Sequence, residues 1–384
     1  MQIAPAPRGM PRSGIREIGE IAAVTPGVVR LEIGEPDVNT PPHIVEAADR
    51  AARDGHTHYS PNAGIPALRE ALTEKLRSVN AVTADPAEII VTNGAVSAIF
   101  STLAAILTAG DEVLVPDPGW PNYRMMVTLL GGRAVAYPVP REGAAADLEA
   151  LAARTSPRTR AIILNSPSNP TGGLIDPVTQ RELHEFAERH DLWIIADDVY
   201  DQIVFDTAPY SLGAVESAPT RVITVGSFSK TYAMTGWRVG YLAAPRRLAE
   251  VIAKIQEPVV SCVNTPAQHA ALAALQGPQG FVRDSVATYA RRALIASGLL
   301  RDADVDFLPP RGGFYLWAST GGAPGADVAR ALVRDHGVAV APGATFGESG
   351  QHAVRIALAN TEEQIREGIT RLLASGLLEE AADA

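Results

Sequence analysis

Val222-Ile223-Thr224-Val225-Gly226-Ser227-Phe228-Ser229-Lys230-Thr231-Tyr232-Ala233-Met234-Thr235-Gly236-Trp237-Arg238-Val239-Gly240-Tyr241 runs from an apolar tetrapeptide into a lysine set among small hydroxyl residues, with an arginine eight positions beyond it. The tetrapeptide reads as a buried strand, so the lysine stands just past a strand's carboxyl end. A lysine amine condenses with an aldehyde, while hydroxyls and a guanidinium fork bind phosphate oxygens. Those groups suit an aldehyde cofactor with a phosphate tail, pyridoxal 5'-phosphate (PLP). A solvated surface lysine is the plainer alternative. Against it, the chain draws nearly all its positive charge from arginine and contains only Lys75, Lys230 and Lys254.

Working outward, apolar runs alternate with amphipathic stretches. Glu88 to Val91 precedes a helical pattern from Val96 to Leu107, and Glu112 to Val115 precedes another near Tyr123 to Leu130. Ala161 to Leu164 precedes a helical pattern from Pro177 to Arg189, and Leu192 to Ile195 reads as a further strand before Val222 to Val225. Continuous apolar strands joined by helices predict a mostly parallel sheet covered on both faces, an α/β fold. Beyond Tyr289 the pattern changes to Phe314 to Trp317, a helical stretch from Val328 to Asp335, Val338 to Val340 and Val354 to Ile356, which predicts a smaller α+β domain.

Open α/β sheets collect their ligands beyond the strands' carboxyl ends. Gly94, Asn169, Asp197 and Ser227 to Lys230 all fall there. Asp197 directly follows a buried strand, where an unpaired charge would be costly and a cationic partner is expected. Gly94-Ala95-Val96 opens a helix whose free N–H groups suit a phosphate. Trp120 offers a flat apolar face for a heterocycle, with Tyr123 in reserve. Arg355 lies within the strand pattern Ala353 to Leu358, and a buried arginine there calls for a planar anion.

The pattern Ser-x-Ser-Lys followed by Met-Thr-Gly-Trp-Arg-x-Gly-Tyr resembles the class I/II aminotransferases of fold-type I PLP enzymes, the aspartate aminotransferase superfamily. The resemblance covers nearly the whole chain, taking in Gly34-Glu35-Pro36-Asp37, Tyr59 with Gly64 to Arg69, Thr92 to Ala95, Pro118 to Tyr123, Asn165 to Gly172, Asp197-Asp198-Val199-Tyr200 and Arg355. It implies a large PLP-binding domain over residues 46–290 and a small domain over 291–384 joined by the N-terminal segment 1–45. It also implies Schiff-base formation by Lys230, pairing of Asp197 with the cofactor's ring nitrogen, and Tyr200 and Asn169 near the ring oxygen. Ser227, Ser229, Arg238 and the Gly94 to Val96 turn would hold the phosphate. Gly34, Trp120, Asn169 and Arg355 would border the substrate, with Arg355 on its α-carboxylate. Tyr59 would reach the cofactor phosphate of a second subunit, making a homodimer with shared sites.

The reaction so implied is amino transfer between an α-amino acid and a 2-oxo acid such as 2-oxoglutarate or pyruvate. A β-lyase, oxidase or hydroxylase uses the same parts and stays open, as does an aspartate-type enzyme. A PLP-binding sensor is disfavoured because the enzyme-like region starts near residue 1. A nicotinamide enzyme is disfavoured because no Gly-x-Gly-x-x-Gly follows a strand. Some bacterial aspartate-type relatives carry a lysine where Val96 stands. The expected donor is therefore neutral rather than dicarboxylic unless Arg12, Arg16 or Arg311 substitutes.

A net charge of −10 argues against nucleic acid and anionic membrane surfaces as partners. The lone Cys262 cannot close an internal disulfide, and no Cys/His cluster has metal-ligand spacing, so no metal is expected. With neither a secretory signal pattern over Met1 to Arg12 nor a long apolar stretch, a cytoplasmic enzyme is expected. The acidic end from Glu379 to Ala384 is expected to fray.

Overall fold

The computed structural model describes residues 4–10, 12–140, 147–214 and 221–378; the acidic end at 379–384 lies outside the described residues, as do residues 1–3 and 11 of the N-terminal stretch. The first strand, β1 (Val29–Arg30), is short. The large sheet comprises β2 (Ile89–Thr92), β3 (Glu112–Asp117), β4 (Arg133–Pro138), β5 (Thr159–Asn165), β6 (Trp193–Asp197), β7 (Val222–Ser227) and β8 (Gly240–Ala243). Their spatial order is β2-β8-β7-β6-β5-β3-β4, with β8 antiparallel to both neighbours and the other pairs parallel. This is the mostly parallel sheet expected, with two strands the apolar pattern did not isolate.

Side-chain alternation explains why the runs are apolar throughout. Val113, Ile163, Ile195 and Ile223 face one side, where Ala98, Ile99 and Leu103 of the helix Gly94–Ile106 cover them together with Ile252. Leu114, Ile162, Leu164 and Ile194 face the other, under Leu183 and Phe186 of the helix Pro177–Arg189. That helix starts where its chemistry dictates: the Asp176 carboxylate accepts from the Val178 and Thr179 amides at 2.8 and 3.1 Å, and Pro177 occupies its first turn.

The smaller sheet contains β9 (Phe307–Leu308), β10 (Tyr315–Ser319), β12 (Ala341–Pro342) and β13 (Ala353–Ala357), in the order β12-β13-β10-β9. The expected single strand Val338 to Val340 is instead two. β11 (Val338–Ala339) pairs in parallel with β1, and after Val340 the chain changes sheets so that β12 pairs with β13. One buried cluster joins Ile18, Ala22 and Leu31 to Leu316, Val328, Ile356 and Ile369, so N-terminal and C-terminal residues share a core. No helix among the described residues is long and apolar enough to cross a membrane.

Candidate active site

β5, β6 and β7 end on the same edge, and β8, running the other way, begins there. That reversal returns Arg238, two residues ahead of β8, to the edge that Ser227 has just left. A cavity of about 320 Å³ opens at this edge. It is lined by Gly34, Ala95, Val96, Trp120, Asn169, Asp197, Tyr200, Ser227, Ser229, Lys230, Arg238 and Arg355, all singled out in the sequence. Two candidates stand apart. Gly94 lies behind the cavity wall with φ +75°, where a Cβ would come within 2.6 Å of Arg238 Nη2. Tyr59 is 90 % exposed and does not line the cavity.

Lys230 sits in the short helix Phe228–Thr231, started by Ser227, whose hydroxyl accepts from the Ser229 amide at 3.1 Å. Its half-buried Nζ donates to the Gly34 carbonyl at 2.6 Å. Burial pushes its pKa down, aided by the charges of Arg355 and Arg238 and opposed by Tyr315 and Glu35.

Asp197, the last residue of β6, is 3 % exposed. Tyr123 donates its phenolic hydrogen to Oδ2 at 2.5 Å, while Oδ1 has no hydrogen-bond partner. Burial raises this carboxyl to about 6, against the lowering effects of the Tyr123 hydroxyl, the Val199 amide and the Lys230 charge. Asp198 points away, as strand alternation requires: its Oδ2 accepts from Ser211, and it does not line the cavity. Its neighbourhood holds the ion pair between Lys75 and Asp201, with Tyr241 hydroxyl 2.8 Å from Lys75 Nζ.

Arg355, in the middle of β13, is 3 % exposed. It donates from Nη2 to the Glu32 carbonyl at 2.6 Å and from Nη1 to Asn169 Oδ1 at 3.1 Å, and its buried Nε has no partner. The guanidinium lies 4.2 Å from the Tyr315 ring centre and 4.9 Å from that of Phe346. Burial pushes its pKa down, though a guanidinium remains charged.

Tyr315 and Thr235 also line the cavity and were not picked out from the sequence. Tyr315 stands in an apolar strand pattern that looks like core. The reserve residue Tyr123 meets Trp120 edge-on, with ring centres 5.4 Å apart, and spends its polar end on Asp197. No local signal links residues 123 and 197, which only the β3 and β6 ends bring together. Arg12, Arg16 and Arg311 do not line the cavity, and Arg12 is paired with Glu20.

The expected cofactor fits these residues. The free Asp197 Oδ1 lacks only a cationic N–H. The Gly94 and Arg238 juxtaposition leaves backbone and guanidinium donors where a side chain would otherwise sit. The amine, the carboxylate and the guanidinium border one cavity. Among the described residues no group of three or more His, Cys, Asp or Glu could hold a metal.

The sequence model described as "Aminotransferase class I and II" matches residues 26–372. The chain is 38 % identical to the aspartate aminotransferase of Pyrococcus abyssi over 94 % of each protein. It is 36 % identical to aromatic-amino-acid aminotransferase 2 of Thermococcus litoralis over the same shares. The structure of Thermus thermophilus aspartate aminotransferase with maleate superposes with a TM-score of 0.92, at 34 % identity, covering 97 % of this chain and 99 % of that one. With this fold, this cavity and these likenesses, the chain belongs to the class I and II aminotransferase family and is a PLP-dependent aminotransferase.

Proposed function

We propose that this aminotransferase takes an α-amino acid with a neutral or apolar side chain as donor and a 2-oxo acid such as 2-oxoglutarate or pyruvate as acceptor. The site would be completed by a second copy of the chain. The observation that carries the reading is one cavity bordered by a half-buried amine, a buried carboxylate with a free oxygen and a buried guanidinium with a free N–H.

Bound PLP supplies an aldehyde and a ring that takes up the electrons released at the substrate Cα. Lys230 Nζ is the amine for that aldehyde, and its lowered pKa suits it to carry the substrate's α-proton as base and then acid. Asp197 Oδ1 would accept from the protonated ring nitrogen, which would also compensate its buried charge. Arg355 binds the α-carboxylate, which becomes the partner of its guanidinium in an otherwise apolar wall. Backbone N–H groups of Gly94, Ala95 and Val96 at a helix start, with Ser227, Ser229 and Arg238, hold the phosphate. Trp120 would stack on the ring, Tyr200 would face its oxygen, and Gly34 and Asn169 would border the substrate.

The side-chain preference is supported by Ile15, Ile33, Val96 and Trp120 in the lining, with Arg238 and Arg355 the arginines there. An aspartate-type preference is the second reading, favoured by the name of the Pyrococcus abyssi relative. The exposed Tyr59 supports a shared-site homodimer. The same reading divides the chain into residues 1–45, 46–290 and 291–384; the helix Gly280–Asp302 crosses the second boundary and would link the domains. A cytoplasmic location completes it, supported by a single, unpaired cysteine.

A panel of L-amino acids assayed with 2-oxoglutarate and with pyruvate tests the proposal. Aromatic or aliphatic donors should exceed aspartate by about tenfold or more in kcat/KM, and Lys230→Ala should abolish turnover. Aspartate as the best donor would overturn the side-chain reading; turnover surviving in Lys230→Ala would overturn the site.

A further inference from the structure

Tyr315 takes no part in the roles above, yet it meets Arg355, Tyr200 and the Gly34 backbone. Its ring lies under the guanidinium, 4.2 Å from the central carbon. Its hydroxyl is 3.0 Å from the Tyr200 hydroxyl. A side chain at Gly34, whose carbonyl accepts from Lys230, would collide with that same hydroxyl. The residue is almost fully buried and fixed in β10, where its backbone opposes Ala357 of the strand that carries Arg355.

We infer that Tyr315 is a positioning residue with two separable duties: its ring holds the Arg355 guanidinium in the plane that meets a carboxylate, and its hydroxyl donates to Tyr200. The first follows from geometry. Arg355 has hydrogen bonds to Glu32 and Asn169 but no acid partner, so aromatic faces keep the fork from tilting, and Tyr315 at 4.2 Å is nearer to it than Phe346 at 4.9 Å. For the second, the hydroxyl contact allows either phenol to donate, and donation by Tyr315 is the direction that puts Tyr200 to use. A phenol that accepts from Tyr315 has its own hydrogen free to give to a ligand oxygen, and giving it becomes easier.

The inference rests on the proposed roles of Arg355 and Tyr200. Two variants separate its parts, assayed with phenylalanine, 2-oxoglutarate and the carboxylate-free 2-phenylethylamine. Tyr315→Leu should raise KM for both carboxylates by about three- to thirtyfold while changing 2-phenylethylamine reactivity little. Tyr315→Phe keeps the ring and should leave those KM values within about twofold. It should also move the pH midpoint of the lysine-bound cofactor's absorbance upward by about half to one unit, because Tyr200 becomes the poorer donor to the ring oxygen. Asp197, Glu35, Arg238, Arg355 and Tyr123, the other titratable groups acting on Tyr200 or Lys230, are unchanged in both variants. No spectral shift in Tyr315→Phe, or a Tyr315→Leu effect equal for the amine, overturns the inference. Should Tyr315→Leu fail to fold, the Phe titration alone decides. Arg355→Ala serves as the control. If it raises KM while Tyr315→Leu does not, this inference fails alone; if it spares KM, the carboxylate reading fails first.

Discussion

Two buried carboxylates stand at opposite edges of the large sheet and are treated in opposite ways. Glu112 begins β3 and is fully buried, but its oxygens are closed off by Arg133 at 2.5 Å, Ser156 at 2.7 Å and Arg158 at 3.1 Å. Burial alone would raise it, yet those hydrogen bonds bring it down to about 2. Asp197 ends β6, has the Tyr123 phenol, the Val199 amide and the Lys230 charge to lower it, and is still raised to about 6 by burial, with Oδ1 left unpaired. The amino edge satisfies its charge within the chain. The carboxyl edge leaves a charge for something that arrives, and an unmet buried charge is a cost a fold keeps only for a purpose.

The largest way to break this contrast is Asp197→Asn. An amide cannot keep a ring nitrogen protonated, so kcat should fall by about a thousandfold, on the order of 4 kcal/mol of transition-state stabilisation, with the fold retained. Steady-state kinetics beside a circular dichroism spectrum would check it. An unchanged kcat would move the role away from this residue. Glu112→Gln should do the reverse, leaving kcat and KM alone while lowering stability by about 1–2 kcal/mol, a discounted figure because Arg133 and Arg158 are largely exposed. The sign with pH follows from the lowered pKa. The Glu112 contribution is present above about pH 4.5 and is lost as pH falls towards about 2, so the stability gap between the parent and Glu112→Gln should narrow over that range. Tyr123→Phe sharpens the contrast from the other side. Without its hydroxyl, Asp197 should rise above about 6 and kcat should fall about tenfold, most steeply on the acid side of the pH profile.

How far these two edges were legible in the sequence differs for a physical reason. The carboxyl edge was readable because each strand there is an apolar run that stops at a polar residue, Asn165, Asp197 or Ser227, with Asn169 and Lys230 in the turns just beyond. The helix Pro177–Arg189 was readable to its ends because Asp-Pro is a start signal. β4 was not, since Arg133-Ala134-Val135-Ala136-Tyr137-Pro138 lies at the sheet's margin and carries little apolar weight. β8 was hidden inside the lysine motif, and with it the reversal that returns Arg238 to the site. Val340, where the chain changes sheets, looked like strand interior. The contacts of Tyr123 with Asp197 and of Tyr315 with Tyr200 span 74 and 115 residues, beyond the reach of any local period. The closure of Glu112 depends on Arg133 and Arg158 from β4 and the approach to β5 in the same way.

The central claim, that Asp197 carries a charge meant for the cofactor, is tested most directly by thermal unfolding of the parent and Asp197→Asn with and without saturating PLP at pH 7.5. Because folding raises the Asp197 pKa from 3.8 to about 6, its ionisation costs the cofactor-free protein stability as pH rises through that range. The difference amounts to at most about 3 kcal/mol at neutral pH. Cofactor-free Asp197→Asn should therefore melt a few degrees above the cofactor-free parent at pH 7.5, with the gap closing near pH 4, and should gain less from PLP than the parent does. A cofactor-free Asp197→Asn protein that melts no higher than the parent, and gains as much from PLP, would contradict the account.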